Sequence, residues 1–220
     1  MKLLLVSTLV ACGLLPFVSA SRFVCYFPNW SVQRQGKITF SPFSASVIGF
    51  EFHWLAYIYY CVINFTDPWQ FGVDQIDTRL CTHLVYAFAE LDDNTFQIRP
   101  SLPEVDIDQD FYRKFTGLKT QNPRLKTMLA FGGWVDSNVN DKYSQLVSSS
   151  QNIDTFVRSA VQLLTDFAFD GLDVDWEYPK TEADKTGFAN LLETLKRAFA
   201  QRGFLLSVAV PGAENNLGRL

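Results

Sequence analysis

Five apolar runs punctuate the chain, at 23–27, 84–90, 126–131, 171–177 and 204–210. Each is short, rich in Val, Leu, Ala and Phe, and nearly continuous rather than strictly alternating. That pattern suits parallel strands covered by helices. Between the later runs, Phe188, Leu191, Leu192, Leu195, Ala198 and Phe199 recur at helical spacing. Thr181 and Asp184 are placed to cap that helix's start, and Gly203 its end. Phe156, Ala160, Leu164 and Phe167 form a second stripe after Asn152, and 110–120 a shorter helix stopped by Asn122-Pro123. Strand and helix in regular alternation predict an α/β fold with a parallel sheet. A barrel and an open doubly wound sheet both satisfy the pattern. One interval breaks it: between Phe27 and His83 lies Phe43 to Phe65, apolar and aromatic with neither period. A long patternless stretch of this kind does not belong in a compact domain.

The first twenty residues fall outside the alternation. Lys2 precedes an apolar run from Leu3 to Val18 that closes on Val18-Ser19-Ala20, small residues at cleavage-site positions. Residues 1–20 therefore read as a secretory signal peptide, and the mature chain is expected outside the cell. Of four cysteines, Cys12 leaves with the signal, Cys61 lies in the patternless interval, and Cys25 and Cys81 sit beside the first two strands. In an oxidising compartment those two are expected to pair. Charge is modest, with 19 Lys+Arg against 23 Asp+Glu, so neither nucleic acid nor an anionic membrane is an expected partner. The 20 Phe, 8 Tyr and 5 Trp fit an aromatic core or a sugar-binding surface, and composition does not separate the two.

The chemistry concentrates in Asp170-Gly171-Leu172-Asp173-Val174-Asp175-Trp176-Glu177-Tyr178-Pro179. Alternate side chains of a strand share a face, so Asp173, Asp175 and Glu177 point one way and Leu172, Val174 and Trp176 the other. Carboxylates in a row on a buried strand repel one another and are costly to desolvate. An acidic edge strand conflicts with the apolar opposite face, and calcium prefers ligands from flexible loops. Positions two apart lie about 6.6 Å from each other and positions four apart about 13 Å. Asp175 can thus touch Glu177, whereas Asp173 reaches it only through Asp175. Crowding is expected to hold one proton on the group, with the outermost residue, Glu177, placed to donate it as a general acid.

This stretch resembles the DxxDxDxE signature of glycoside hydrolase family 18, the chitinases and chitinase-like lectins. Three further segments resemble the family's first strands in order: Cys25-Tyr26-Phe27-Pro28-Asn29-Trp30, Leu80 to Phe88, and Ala130-Phe131-Gly132-Gly133-Trp134, where Ala130 replaces the usual Ser. The resemblance implies a (β/α)8 barrel with its site at the strand C-termini. It implies substrate-assisted hydrolysis of chitin or chitooligosaccharides, with Glu177 as acid, Asp175 orienting the acetamido group and Asp173 sharing a proton behind it. Tyr26, Trp30, Phe88, Gly132, Gly133, Trp134 and Tyr178 map onto positions lining the sugar cleft, core packing being the other reading of each aromatic. No metal or cofactor is implied, and His53 and His83 lack zinc-ligand spacing. Asn29-Trp30-Ser31 and Asn64-Phe65-Thr66 are glycosylation sequons, the first within the expected cleft and so expected to be unused.

Two departures from the family pattern remain. The sequence holds five such strands, which cannot close an eight-stranded barrel, so residues 21–220 are expected to be a catalytic domain truncated after about the fifth strand. Residues 37–66 read as an atypical insertion encoded by a retained intron: Gly36-Lys37 can be encoded with a GT donor and Thr66-Asp67 with an AG acceptor. A membrane span there is opposed by Glu51 near its middle and by the separation it would impose on Cys25 and Cys81. Amplifying the transcript across the region decides between a shorter in-frame product and one that retains the segment. The expected function is that of a secreted, monomeric chitinase-type hydrolase. The alternatives are a non-catalytic chitin-binding lectin, which typically loses the acid that this chain keeps, and a gene-model fragment with no folded product.

Overall fold

The structure is a computed structural model that describes residues 22–30 and 72–210, with the backbone of Ser46–Val47. The signal segment, Cys12, Cys61, the second sequon and nearly all of 37–66 lie outside the described residues. The described residues form seven strands: β1 Val24–Pro28, β2 Ser46–Val47, β3 His83–Leu91, β4 Ile98–Pro100, β5 Lys126–Gly132, β6 Gly171–Asp175 and β7 Leu205–Val210. β1, β3, β5, β6 and β7 run parallel and lie side by side in chain order. β4 pairs antiparallel with β3, and β2 with β7. An open doubly wound sheet reverses its strand order at a switch point. Here the order never reverses, so of the two α/β forms the chain is part of a barrel.

The strands sort their side chains accordingly. Leu84, Tyr86, Leu129, Phe131, Leu172 and Val174 join the large cluster beneath the helices. Tyr26, Val85, Ala87, Met128 and Ala130 form a separate, smaller cluster on the inner face. Both faces are buried, which is why the runs read as continuous rather than alternating.

The helices are α1 Pro103–Asp106, α2 Phe111–Gly117, α3 Gly133–Asn138, α4 Lys142–Val147, α5 Ser150–Asp166 and α6 Glu182–Ala200. α6 starts with the expected capping box. The Thr181 hydroxyl accepts from the Asp184 amide at 3.0 Å, and the Asp184 carboxylate accepts from the Thr181 amide at 2.9 Å. Gly203 takes φ 71° just past its end. α5 lays Phe156 against Phe131, ring centroids 4.5 Å apart, and α6 sets Phe188 edge-on to Trp176 at 5.4 Å. No helix among the described residues is long and apolar enough to cross a membrane. Cys25 and Cys81 form a disulfide across a sequence separation of 56. By the chain-entropy account, a closure of this length stabilises the fold by about 4 kcal/mol.

Candidate active site

Asp173 sits on β6 in register with Ala130 of β5 and Ser207 of β7. It is fully buried. Its Oδ2 accepts from the Tyr26 hydroxyl at 2.7 Å, and its Oδ1 from the Ser207 hydroxyl at 2.5 Å. Tyr26 belongs to β1, which β3 and β5 separate from β6. In a flat sheet those strands would lie roughly 14 Å apart, so the contact exists only because the sheet curves into a barrel wall. Burial raises the Asp173 pKa, and the Ser207 and Tyr26 hydrogen bonds pull against that rise.

Asp175 ends β6 and is also buried. Burial first, then the charges of Glu177 and Asp173, push its pKa up to about 8. Glu177 is half-buried and lies beyond the strand, where burial raises its pKa and a hydrogen bond with the Tyr178 side chain opposes the rise. The sequence expectation put 171–177 on one strand and the retained proton on the outermost carboxyl. The strand instead stops at Asp175, because β5 offers no partner past Gly132. The upward push is also larger on Asp175 than on Glu177, because Asp175 is flanked by a carboxylate on either side and is more buried.

Around this row stand the expected aromatics. Trp30, in the turn that follows β1, stacks on Phe88 with centroids 5.9 Å apart and planes 16° apart. Trp134, in the first turn of α3, is 63% exposed. Tyr178 stands partly exposed beside Glu177. Gly132 and Gly133 take φ 112° and 83°, conformations that side chains rarely adopt. A Cβ on Gly132 would run into the Asp175 carbonyl, and one on Gly133 into the Phe88 ring. The space beside the two glycines is thus taken up by Asp175 and Phe88 around the exit of β5. The Tyr26 hydroxyl donates to Asp173 and so braces the acidic row from β1.

Several residues at the site carry no local signal in the sequence. The Asn29 side-chain amide is buried and donates to Ser101 Oγ at 2.9 Å and to Asp106 Oδ1 at 3.1 Å. Asp106 also accepts from the Tyr86 hydroxyl at 2.6 Å and the Leu102 amide at 3.0 Å. This network fixes the base of the turn carrying Trp30, and it leaves the Asn29 amide no room for a glycan. Ser207 could have been found, as a lone hydroxyl in an apolar strand two positions past the register partner of Gly171.

A curved parallel sheet with a row of carboxylates at the C-terminal end of one strand defines a class, the barrel enzymes and their binding relatives, whose sites lie at that rim. The chain matches the model for "Glycosyl hydrolases family 18" over residues 22–219, and it belongs to that family. It is similar to the endochitinase of Manduca sexta, 33% identical over 207 residues that cover 90% of this chain and 31% of that protein. Catalytic domain 2 of the Ostrinia furnacalis Group II chitinase superposes with a TM-score of 0.72 at 34% identity, covering 90% of this chain and 45% of that one. Human YKL-39, described as a pseudo-chitinase with retained chitooligosaccharide binding, superposes at 0.61 with 29% identity over 83% of this chain and 40% of its own. The chain therefore spans less than half the length of these relatives.

Proposed function

We propose that the protein is a secreted chitinase-type hydrolase that cleaves β-1,4-linked N-acetylglucosamine chains with retention of anomeric configuration. The observation that carries this reading is the acidic row itself. A half-exposed Glu177 at the rim stands beside a buried Asp175 with raised pKa, backed by an Asp173 fixed between two hydroxyls. Glu177 protonates the glycosidic oxygen as the C1–O bond breaks. The acetamido carbonyl oxygen of the sugar closes onto C1 to give an oxazolinium ion. Asp175 orients the acetamido N–H and offsets the positive charge, and Tyr26 and Ser207 hold Asp173 in place behind it. Water then attacks C1, with Glu177 taking back a proton. Trp30, Phe88, Trp134 and Tyr178 offer aromatic faces to the sugar C–H surfaces.

A binding-only role is the second reading, since one relative is a pseudo-chitinase. The presence of Glu177 favours hydrolysis. Following N-acetylchitotetraose with the full-length protein by proton NMR separates the two. Cleavage with the β-anomer formed first is expected. An α-anomer formed first would overturn the mechanism, and tight binding without cleavage would leave only the lectin role.

A further inference from the structure

Glu177 has to be aimed, yet the sheet does not hold it. The last register pair of the β5–β6 ladder is Gly132 with Asp175. Beyond it, Trp176 turns outward to stack on Tyr143, centroids 5.5 Å and planes 28° apart, and to meet Phe188. The polar groups of the backbone on either side of Trp176 are then met by α3. Ser137 Oγ accepts from the Glu177 amide at 3.0 Å and donates to the Asp175 carbonyl at 3.4 Å. Asn138 Nδ2 donates to the Glu177 carbonyl at 3.2 Å and to the Trp134 carbonyl at 2.8 Å. Ser137 is 5% exposed, so little water competes for these bonds. The bare Cα of Gly132 is what lets the start of α3 lie this close to the Asp175 carbonyl.

We propose that Ser137 is a positioning residue for the general acid: its hydroxyl replaces the missing strand ladder and fixes the main chain from which Glu177 projects. Asn138 closes the clamp and ties it to Trp134, so that acid and aromatic platform move as one unit. This rests on Glu177 being the acid. A carboxyl that swings by about 1 Å loses on the order of 100-fold in rate, because protonation of the leaving oxygen needs hydrogen-bond geometry.

The test compares Ser137→Ala with the parent full-length protein on two substrates. On N-acetylchitotetraose, whose leaving group needs protonation, kcat is expected to fall about 10- to 100-fold with KM within about twofold. On a dinitrophenyl chitobioside, whose leaving group departs unprotonated, the loss is expected to stay below about threefold. Equal losses on both substrates would mean general damage to the site and would overturn the proposal. Amide hydrogen exchange gives a second readout, independent of turnover. Exchange at Glu177 should accelerate at least about tenfold while that of Val174 is unchanged. A parent that cleaves nothing would sink the hydrolase reading alone. The placement of Glu177 by Ser137 would then stand or fall on the exchange result, and unchanged exchange would refute it. Should Ser137→Ala not fold, Asn138→Ala, at a more exposed position, is expected to show the same substrate selectivity at smaller size, and its absence there would overturn the clamp.

Discussion

Glu177→Gln is expected to lower kcat on chitooligosaccharides by at least about 100-fold while leaving their Kd within about threefold. The amide is nearly isosteric with the carboxyl, and its oxygen can still accept the Tyr178 hydrogen bond, so the rim should keep its shape. What is lost is the transferable proton, and that loss should nearly vanish with a dinitrophenyl leaving group. A second signature follows from the electrostatics. The Glu177 charge is the second largest cause of the raised Asp175 pKa, so the neutral variant should move the Asp175 titration downward. Carbon-detected NMR titration of the carboxyls reads this directly. A variant retaining more than a few per cent of kcat would place the acid elsewhere, and an Asp175 titration that does not move would show that the Glu177 charge does not act on Asp175.

What the sequence made legible was whatever repeats locally. The parallel strands were visible because helices bury one face of each and the barrel interior the other. The two long helices were visible because their apolar stripes run for several turns, in α6 between recognisable caps, whereas α5 begins at Ser150, ahead of the expected start after Asn152. The strand order was not visible, since periodicity carries no information about which strand lies beside which. The resemblance to a barrel family supplied that. α3 and α4 were missed for a physical reason. α3 opens on Trp134 and Val135, 63% and 77% exposed, the reverse of the usual apolar-inside pattern. α4 begins with Lys142, which is buried against Asp136 at 2.5 Å and the Leu91 carbonyl at 2.8 Å. The acidic row was readable from its spacing alone, but the groups that hold it were not. Tyr26 reaches Asp173 from 147 residues away and Ser137 reaches Glu177 from 40, and no local pattern announces either contact.

Asp175→Asn is expected to make the protein more stable at neutral pH while removing the proposed hydrolytic activity. The Asp175 pKa is about 8 in the folded protein, against about 3.9 for an aspartate in an unfolded chain. Between those values the folded state binds the extra proton, so stability falls as pH rises from about 4 and levels off above about 8. The full stability is present below the unfolded value and is lost on the way up to the folded one. At pH 7 the deficit corresponds to roughly three pH units, or about 4 kcal/mol. An Asn has no proton to take up, so that deficit should disappear in the variant. Asp175 is mostly protonated at pH 7, so Asp173 and Glu177 face a neutral neighbour in either protein, and the difference reports chiefly on position 175. Denaturant unfolding of both proteins at pH 4 and pH 7 checks the sign. The variant should gain a few kcal/mol at pH 7 and almost nothing at pH 4. Its kcat should fall at least about 100-fold, because an amide has no proton to give up and so cannot become the carboxylate that offsets the oxazolinium charge as it forms. Equal gains at the two pH values, or a variant less stable at pH 7, would show that burial among carboxylates does not hold a proton on Asp175.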